Sequence, residues 1–216
     1  MIALSDLVYG VAIGTDLILL DVRADRYHAL VGAIAAQDAS MPEDVSEPAY
    51  IPEAAATLID AGLMFEGAGR GLSRMHEPVR ALLDPGHAPG GRPRIRECVD
   101  LLVAGATAWW RLRRGMPCRT HHSARPRSRT AGHVETMAAV EALERLKLFI
   151  PTPRRCLPAS LIASLFLARR GVQAQIVFGV RSHPFEAHCW VEYDGMVLCD
   201  DIDRVSAYRP IVVGQP

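Results

Sequence analysis

The chain has 216 residues, half of them apolar, with 24 acidic and 24 basic side chains and a formal net charge of zero. That is an ordinary soluble globular composition, long enough for one medium domain or two small ones with a substantial core, and its neutrality argues against a chain built to grip nucleic acid. The neutrality hides a split: residues 1–66 hold eleven acids against two bases, a balance of −9, and the remainder carries +9, which suggests two modules.

The N-terminal "MIALSDLVYGVAIGTDLILLDV" lacks a basic leading region and is interrupted by Asp6 and Asp16, so no signal peptide is expected. The longest apolar helical run, "VDLLVAGATAWW" at 99–110, is too short to span a bilayer. Cytoplasmic residence is the default expectation, with no membrane partner. Five cysteines (98, 118, 156, 189 and 199) without paired spacing predict reduced thiols rather than a disulfide framework.

The first module, 1–67, reads as strands followed by helices. "LVYGVAI" (7–13) and "DLILLDVR" (16–23) are β-rich around an "IGTD" turn, and "RYHAL" (26–30) makes a third strand that runs into an apolar helix "LVGAIAAQ". "IPEAAATLIDAGLM" (51–64) has helical spacing at Ala54, Leu58 and Ile59, with Pro52 near the start and Gly62 at the stop. Residues 68–94 read as a linker with a short helix around 75–83. "EGAGRGLSR" (66–74) lacks the GK[ST] ending and the strand-to-helix context of a nucleotide loop. "DPGHAPGGRPR" (84–94) is a second Pro/Gly break before a long helix over 95–114.

Leu101 to Val134 contains no acid, while Arg111, Arg113, Arg114, Arg119, Arg125, Arg127 and Arg129 accumulate. Few aromatics are interleaved, so a solvated basic segment fits better than a nucleic-acid surface. "CRTHH" (118–122) has no second ligand pair at metal spacing. A helix over 135–150 leads through "PTPRR" to "CLPASLIASLFLARRG", where Pro158 sits in the first turn and Gly171 ends the helix. "VQAQIVFGVR" (172–181), "AHCWVEY" (187–193) and "MVLCD" (196–200) are the strands that follow, the last two joined at a "DG" turn. The second module, 95–216, is therefore helices and then an antiparallel sheet.

Cys156 begins a helix, where unpaired N–H groups and partial positive charge favour thiolate over thiol and can receive an oxyanion. Arg154 and Arg155 add positive charge in front of it. A thiolate nucleophile needs a base and a third group to orient that base. His188, on a later strand with Trp190 on the same face, is the candidate base. Across the hairpin, a two-residue loop at Asp194-Gly195 sets Asp201 opposite His188, whereas a three-residue loop that includes Tyr193 sets Asp200 there. Spacing leaves both open. Glu192 shares the His188 face, while His183 and His28 read as surface and packed residues.

From Cys156 to Pro210 these residues closely resemble the transglutaminase-like leader peptidase of lasso-peptide biosynthesis. The match rests on Cys-Leu at the helix start, "RRG" at its end, "GVR" with "PF", "AHCWVE", and an Asp twelve positions beyond the His. The resemblance implies a catalytic Cys156, His188 and Asp200, and so selects the three-residue loop. Cys189 stands where the family more commonly has alanine; it is expected to face away from His188, and the departure puts nothing catalytic in doubt. "LILLDVRADRYHALVGAIAA" is similar to the leader-recognition domain of ribosomally made, modified peptides, here fused to the peptidase. That likeness implies a leader strand added to a sheet edge beside an apolar groove, with Tyr27, Leu30 and Ile34 as leader-binding residues.

The implied architecture is α+β: a small winged-helix-like β3-α domain, then a transglutaminase-like, papain-like helix-plus-antiparallel-sheet domain. The implied activity is removal of a lasso precursor's leader by a cysteine peptidase before macrolactam formation. The implied partners are the precursor peptide and an asparagine-synthetase-like, ATP-using cyclase. The family implies dependence on ATP or on that cyclase, yet no phosphate-binding motif occurs, and no cofactor, metal or nucleic acid is expected on this chain. A transglutaminase-like acyl transferase and a non-catalytic peptide-binding scaffold are the competing readings.

Overall fold

The computed structural model describes residues 2–35, 50–73, 80–82, 90–115, 119–121, 132–147 and 155–215. The chain divides into two compact units, Met1–His76 with Val180–Glu186 and Arg209–Ile211, and Glu77–Gly179 with Ala187–Tyr208 and Val212–Pro216.

The first unit is strand-rich. Strands β1 (Ile2–Leu4), β2 (Val8–Ile13), β3 (Asp16–Asp21) and β4 (Arg26–Leu30) precede helix α1 (Pro52–Asp60) and strand β5 (Met64–Glu66). β2, β3 and β4 form an antiparallel meander, and β1 pairs antiparallel with β5. The first hairpin closes on Gly14-Thr15, with Gly14 at φ +61, the left-handed backbone such a tight loop demands. Leu17 to Leu20 are buried on both faces of β3. Leu17 and Leu19 meet Leu58 of α1 and Met64 of β5 in one apolar core. Pro52 opens α1 without losing a hydrogen bond, and Gly62 at φ +71 follows its end.

Over its described part, the helix expected from "LVGAIAAQ" is a turn. Gly32 takes φ +66, its N–H donates to Asp16 Oδ1 (3.1 Å), and Ile34 bridges to Tyr50 as a short extended contact. The left-handed glycine and its side-chain acceptor stop the chain from winding after β4. Residues 36 and 37 of that stretch lie outside the described residues.

In the second unit the order is β6 (Arg80–Ala81), α2 (Ile95–Arg113), β7 (Arg119–His121), α3 (His133–Lys147), α4 (Cys156–Ala168), β8 (Gln175–Arg181), β9 (Glu186–Tyr193), β10 (Met196–Leu198), α5 (Ile202–Val205) and β11 (Arg209–Gln215). Six strands make one sheet in the order β6-β10-β9-β8-β11-β7; the first unit takes in the tip joining β8 to β9 and the start of β11. The pairings of β9 with β10 and of β7 with β11 are antiparallel, and the two-residue β6 runs parallel to β10. The 75–83 segment is thus a strand at Arg80–Ala81, and residues 75–79 and 83 lie outside the described residues.

α4 packs against α2 and α3. It is buried almost all round, with Leu161, Phe166 and Leu167 at 0% exposure, which accounts for its lack of a polar stripe. Two charged ties hold α2 to its neighbours: Glu97 pairs with Arg145 of α3 (3.4 Å), and Asp100 pairs with Arg169 (3.0 Å) and Arg170 (3.2 Å) beyond α4. Glu97 also accepts the Arg94 N–H at the start of α2, satisfying one orphan donor of the first turn.

Candidate active site

Cys156 is the first residue of α4. Its neighbour Arg155 is extended (φ −84, ψ 134) and supplies no side-chain cap, and no acid sits in the first turn. Pro158 has no N–H, so the amides of Cys156 and Leu157 are the first-turn donors left without intrahelical partners. The cysteine sulfur is therefore placed beside partial positive charge with no competing carboxylate on its own helix.

His188 lies in β9, 6% exposed, and its Nε2 is 2.8 Å from Asp200 Oδ2. The same imidazole hydrogen-bonds the Cys156 thiol; with Nε2 taken by the carboxylate, Nδ1 is the atom left for sulfur. The structure thus brings Cys156, His188 and Asp200 together. The second oxygen of Asp200 accepts the Asp201 N–H (2.8 Å), which fixes the carboxylate plane. Asp201 turns elsewhere and caps the short α5 by accepting the Asp203 N–H (2.9 Å).

The loop that delivers Asp200 is not the expected three-residue one. Tyr193 pairs with Met196, leaving Asp194-Gly195 as a two-residue turn with φ of +51 and +72 at its two positions. Continued as a regular strand, that register would set Asp201 opposite His188. Pairing ends at Leu198, however, and Cys199 takes φ +64, a left-handed conformation rare outside glycine. The kink at Cys199 breaks the alternation by one residue and returns Asp200 to the histidine.

Lys147, at the end of α3, secures that kink. Its Nζ donates to the Cys199 carbonyl (3.2 Å) and pairs with Glu144 Oε1 (2.6 Å). Burial opposes the lysine's charge, and the Glu144 carboxylate beside it outweighs burial, so its pKa is raised. Burial pushes the Cys199 thiol up to about 12, which leaves it protonated.

Cys189 follows His188 along β9, and both side chains reach the Cys156 sulfur. The Cys189 thiol is 3.8 Å from Ser160 Oγ, one helical turn beyond Cys156, while Ser160 donates to the Cys189 carbonyl (3.0 Å). The thiol and the backbone amide of Cys189 hydrogen-bond the Cys156 sulfur. Those contacts and the His188 bond outweigh burial and hold the Cys156 thiol down to about 4. For His188, burial disfavours the charged form, but the bonds to Asp200 and Cys156 win and raise it to about 9. Burial likewise works against the Asp200 carboxylate, and hydrogen bonds from His188 and the Asp201 amide lower it. Near neutrality the pair is thiolate and imidazolium.

Aromatic rings wall the histidine: Trp190 at 6.1 Å between centroids and Tyr208 at 5.3 Å. Trp190 donates to the Glu192 carboxylate, the use the structure finds for that strand acid, and burial raises the Glu192 pKa against this bond. Gly179 of β8 has no side chain because a Cβ there would lie 2.5 Å from the Trp190 ring. A cleft of about 360 Å³ opens on the sulfur, with Arg155, Arg204 and Lys147 among its lining residues.

The leader-binding candidates lie in the first unit. Tyr27 and Leu30 belong to β4, an outer strand of the meander, and the Tyr27 ring meets Phe185 at 5.7 Å. Ile34 is 4% exposed and packs in the core with Leu17 and Leu58, so it reads as a core residue rather than a groove residue. His183 Nδ1 is 3.5 Å from Asp16 Oδ2. Cys118 and His122 lie outside the described residues. Among the described residues no group of His, Cys, Asp and Glu is arranged to hold a metal, and no helix is long and apolar enough to cross a membrane. Lys147, Ser160 and Cys199 escaped the sequence reading; only the serine four positions after Cys156 on a buried helix face offered a signal.

A cysteine at a helix start, hydrogen-bonded to a strand histidine that is held by an aspartate, is the arrangement of thiol-dependent acyl-transfer proteins. The chain belongs to the transglutaminase-like superfamily, whose family model matches residues 99–213. That membership supports cysteine peptidase or acyltransferase chemistry. No curated protein and no solved structure matches the chain.

Proposed function

We propose that this protein is a cysteine peptidase that captures and removes the leader peptide of a lasso-peptide precursor before macrolactam formation. The observation that carries the reading is the hydrogen-bonded Cys156–His188–Asp200 set in a transglutaminase-like domain. The lasso-type signature over 156–210 narrows the substrate, and a preceding unit with a sheet-edge strand suits capture of an extended peptide.

Cys156 thiolate attacks the scissile carbonyl, and the developing oxyanion is met by the first-turn amides of α4. His188, already protonated, delivers its proton to the leaving amine. It then takes a proton from the water that hydrolyses the acyl-enzyme, while Asp200 holds the imidazole in place. The products are a leader acid and a core peptide with a free N-terminal amine. An asparagine-synthetase-like cyclase would consume that amine together with ATP, and the peptidase itself needs no cofactor in this scheme. Cytoplasmic residence follows from the same pathway.

The superfamily match also supports a second outcome, transfer of the acyl group to an amine instead of water. Incubation with the precursor encoded beside the gene, followed by mass spectrometry, distinguishes them. A leader ending in a free acid supports the peptidase, an amide product supports the transferase, and an intact precursor with an unmodified Cys156 rejects both.

A further inference from the structure

Two sulfurs share the floor of this cleft, and only one is needed for acyl transfer. Cys189 is 2% exposed and belongs to an apolar cluster against which Cys156 packs. Its thiol is pinned to Ser160, which stands four residues after Cys156 and so on the same face of α4. Both cysteines line the same cavity, and both are unbridged. The third thiol lining the cleft, Cys199, is tied to α3 by its Lys147-bound carbonyl.

We propose that Cys156 and Cys189 form a peroxide-oxidisable dithiol, a modification site that shuts the enzyme reversibly. It rests on the thiolate reading of Cys156 given above. The Cys156 thiolate attacks one oxygen of hydrogen peroxide and breaks the O–O bond, giving a sulfenic acid and hydroxide. The Cys189 thiol then attacks the Cys156 sulfur, the S–O bond breaks, and the hydroxyl leaves with the Cys189 proton as water. The two thiols have lost two electrons and peroxide has gained them. In the disulfide the nucleophile is gone. A dithiol reductant restores both sulfurs, whereas an isolated sulfenic acid would pass on to irreversible sulfinic acid. The buried position of Cys189 suits a resolving partner: external alkylators cannot reach it, but its neighbour can. An alanine at 189 would leave the nucleophile unprotected.

The test treats the full chain with a few equivalents of hydrogen peroxide and maps peptides without reduction. A Cys156–Cys189 cross-linked peptide, lighter by two hydrogens, is expected, with iodoacetamide labelling of Cys156 returning after dithiothreitol. In Cys189→Ala and Cys189→Ser, which guard against a single misfolded variant, Cys156 should end as sulfinic or sulfonic acid. Its recoverable labelling should fall by about tenfold or more, as expected when a sulfenic acid has no resolving thiol. Cys156 over-oxidised in the wild type, or bridged to Cys199 instead, would overturn the proposal while leaving its reactivity intact. A Cys156 inert to both peroxide and iodoacetamide would overturn the proposal and the thiolate assignment together.

Discussion

The Cys156 thiol held down to about 4 and the His188 imidazole held up to about 9 define a wide window in which nucleophile and proton donor coexist. Below the lower limit sulfur gains a proton and attack fails; above the upper limit imidazolium loses its proton and the leaving amine departs unprotonated. Turnover against pH should therefore be bell-shaped with a broad plateau, and a profile still rising through pH 8 would show an ordinary thiol. At pH 6, iodoacetamide should label Cys156 well ahead of Cys199, whose thiol burial pushes up to about 12. Asp200→Asn should lower turnover by roughly a thousandfold or more, as when an orienting carboxylate is lost. Asp201→Asn, which keeps an oxygen to accept the Asp203 N–H at the start of α5, should change stability by about 1 kcal/mol or less and turnover little. Residue identities at the site were legible in the sequence because acyl transfer restricts them to few types. The path of the chain between them was not. A left-handed cysteine has no signature in a single sequence, so a two-residue turn and an Asp200 that meets His188 looked incompatible until Cys199 reconciled them.

Among elements, α3 has the least obvious duty. Its last residue, Lys147, reaches the carbonyl just before Asp200 and fixes a loop that no strand pairing supports. Lys147→Met should lower kcat by roughly tenfold to a hundredfold with KM little changed, since a small displacement of an orienting group is costly. Lys147→Arg should recover part of the loss, and equal damage from both variants would point to packing alone. The pH plateau should also narrow at its alkaline side as the Asp200–His188 bond loosens. Helices α1, α2, α3 and α4 could be read from apolar spacing and from Pro and Gly punctuation. The segments after β4 and around Arg80 were misread as helical, because Gly32 and a two-residue parallel pairing decide them and neither leaves a periodic trace. α2 carries Trp109 and Trp110 at its surface, with Arg113 and Arg114 stacked over them at 4.1 and 4.3 Å. Those two cations of the acid-free stretch are thus accounted for by aromatic partners in the chain itself.

For the molecule as a whole, the unit proposed for leader capture is separate from the compact unit that holds Cys156, His188 and Asp200, so on that reading the two functions should fail separately. Cys156→Ala should abolish leader removal while leaving leader affinity nearly unchanged. Leu30→Asp, at the outer strand of the meander, should weaken capture without changing iodoacetamide reactivity at Cys156. Ile34→Asp is a poorer probe, because a charge in that buried position would unfold the unit before it tested a groove. The charge split suggested two modules by chain position alone, and it left no trace of the assignment of Val180–Glu186 and Arg209–Ile211 to the first unit, since composition does not record which loop tips cluster with which core.

The aromatic wall of the site has a spectroscopic consequence. Of three tryptophans, Trp109 and Trp110 are 57% and 45% exposed, whereas Trp190 is 1% exposed and its ring lies 6.1 Å from the His188 imidazole. Protonated imidazole quenches indole emission, so the blue-shifted component should be dim near neutrality and brighten as His188 loses its proton. Iodide would silence the two outer tryptophans and leave that signal alone. When the histidine gives its proton to the departing amine, the same signal should flash within a single turnover, so the protein carries its own clock for the acylation step.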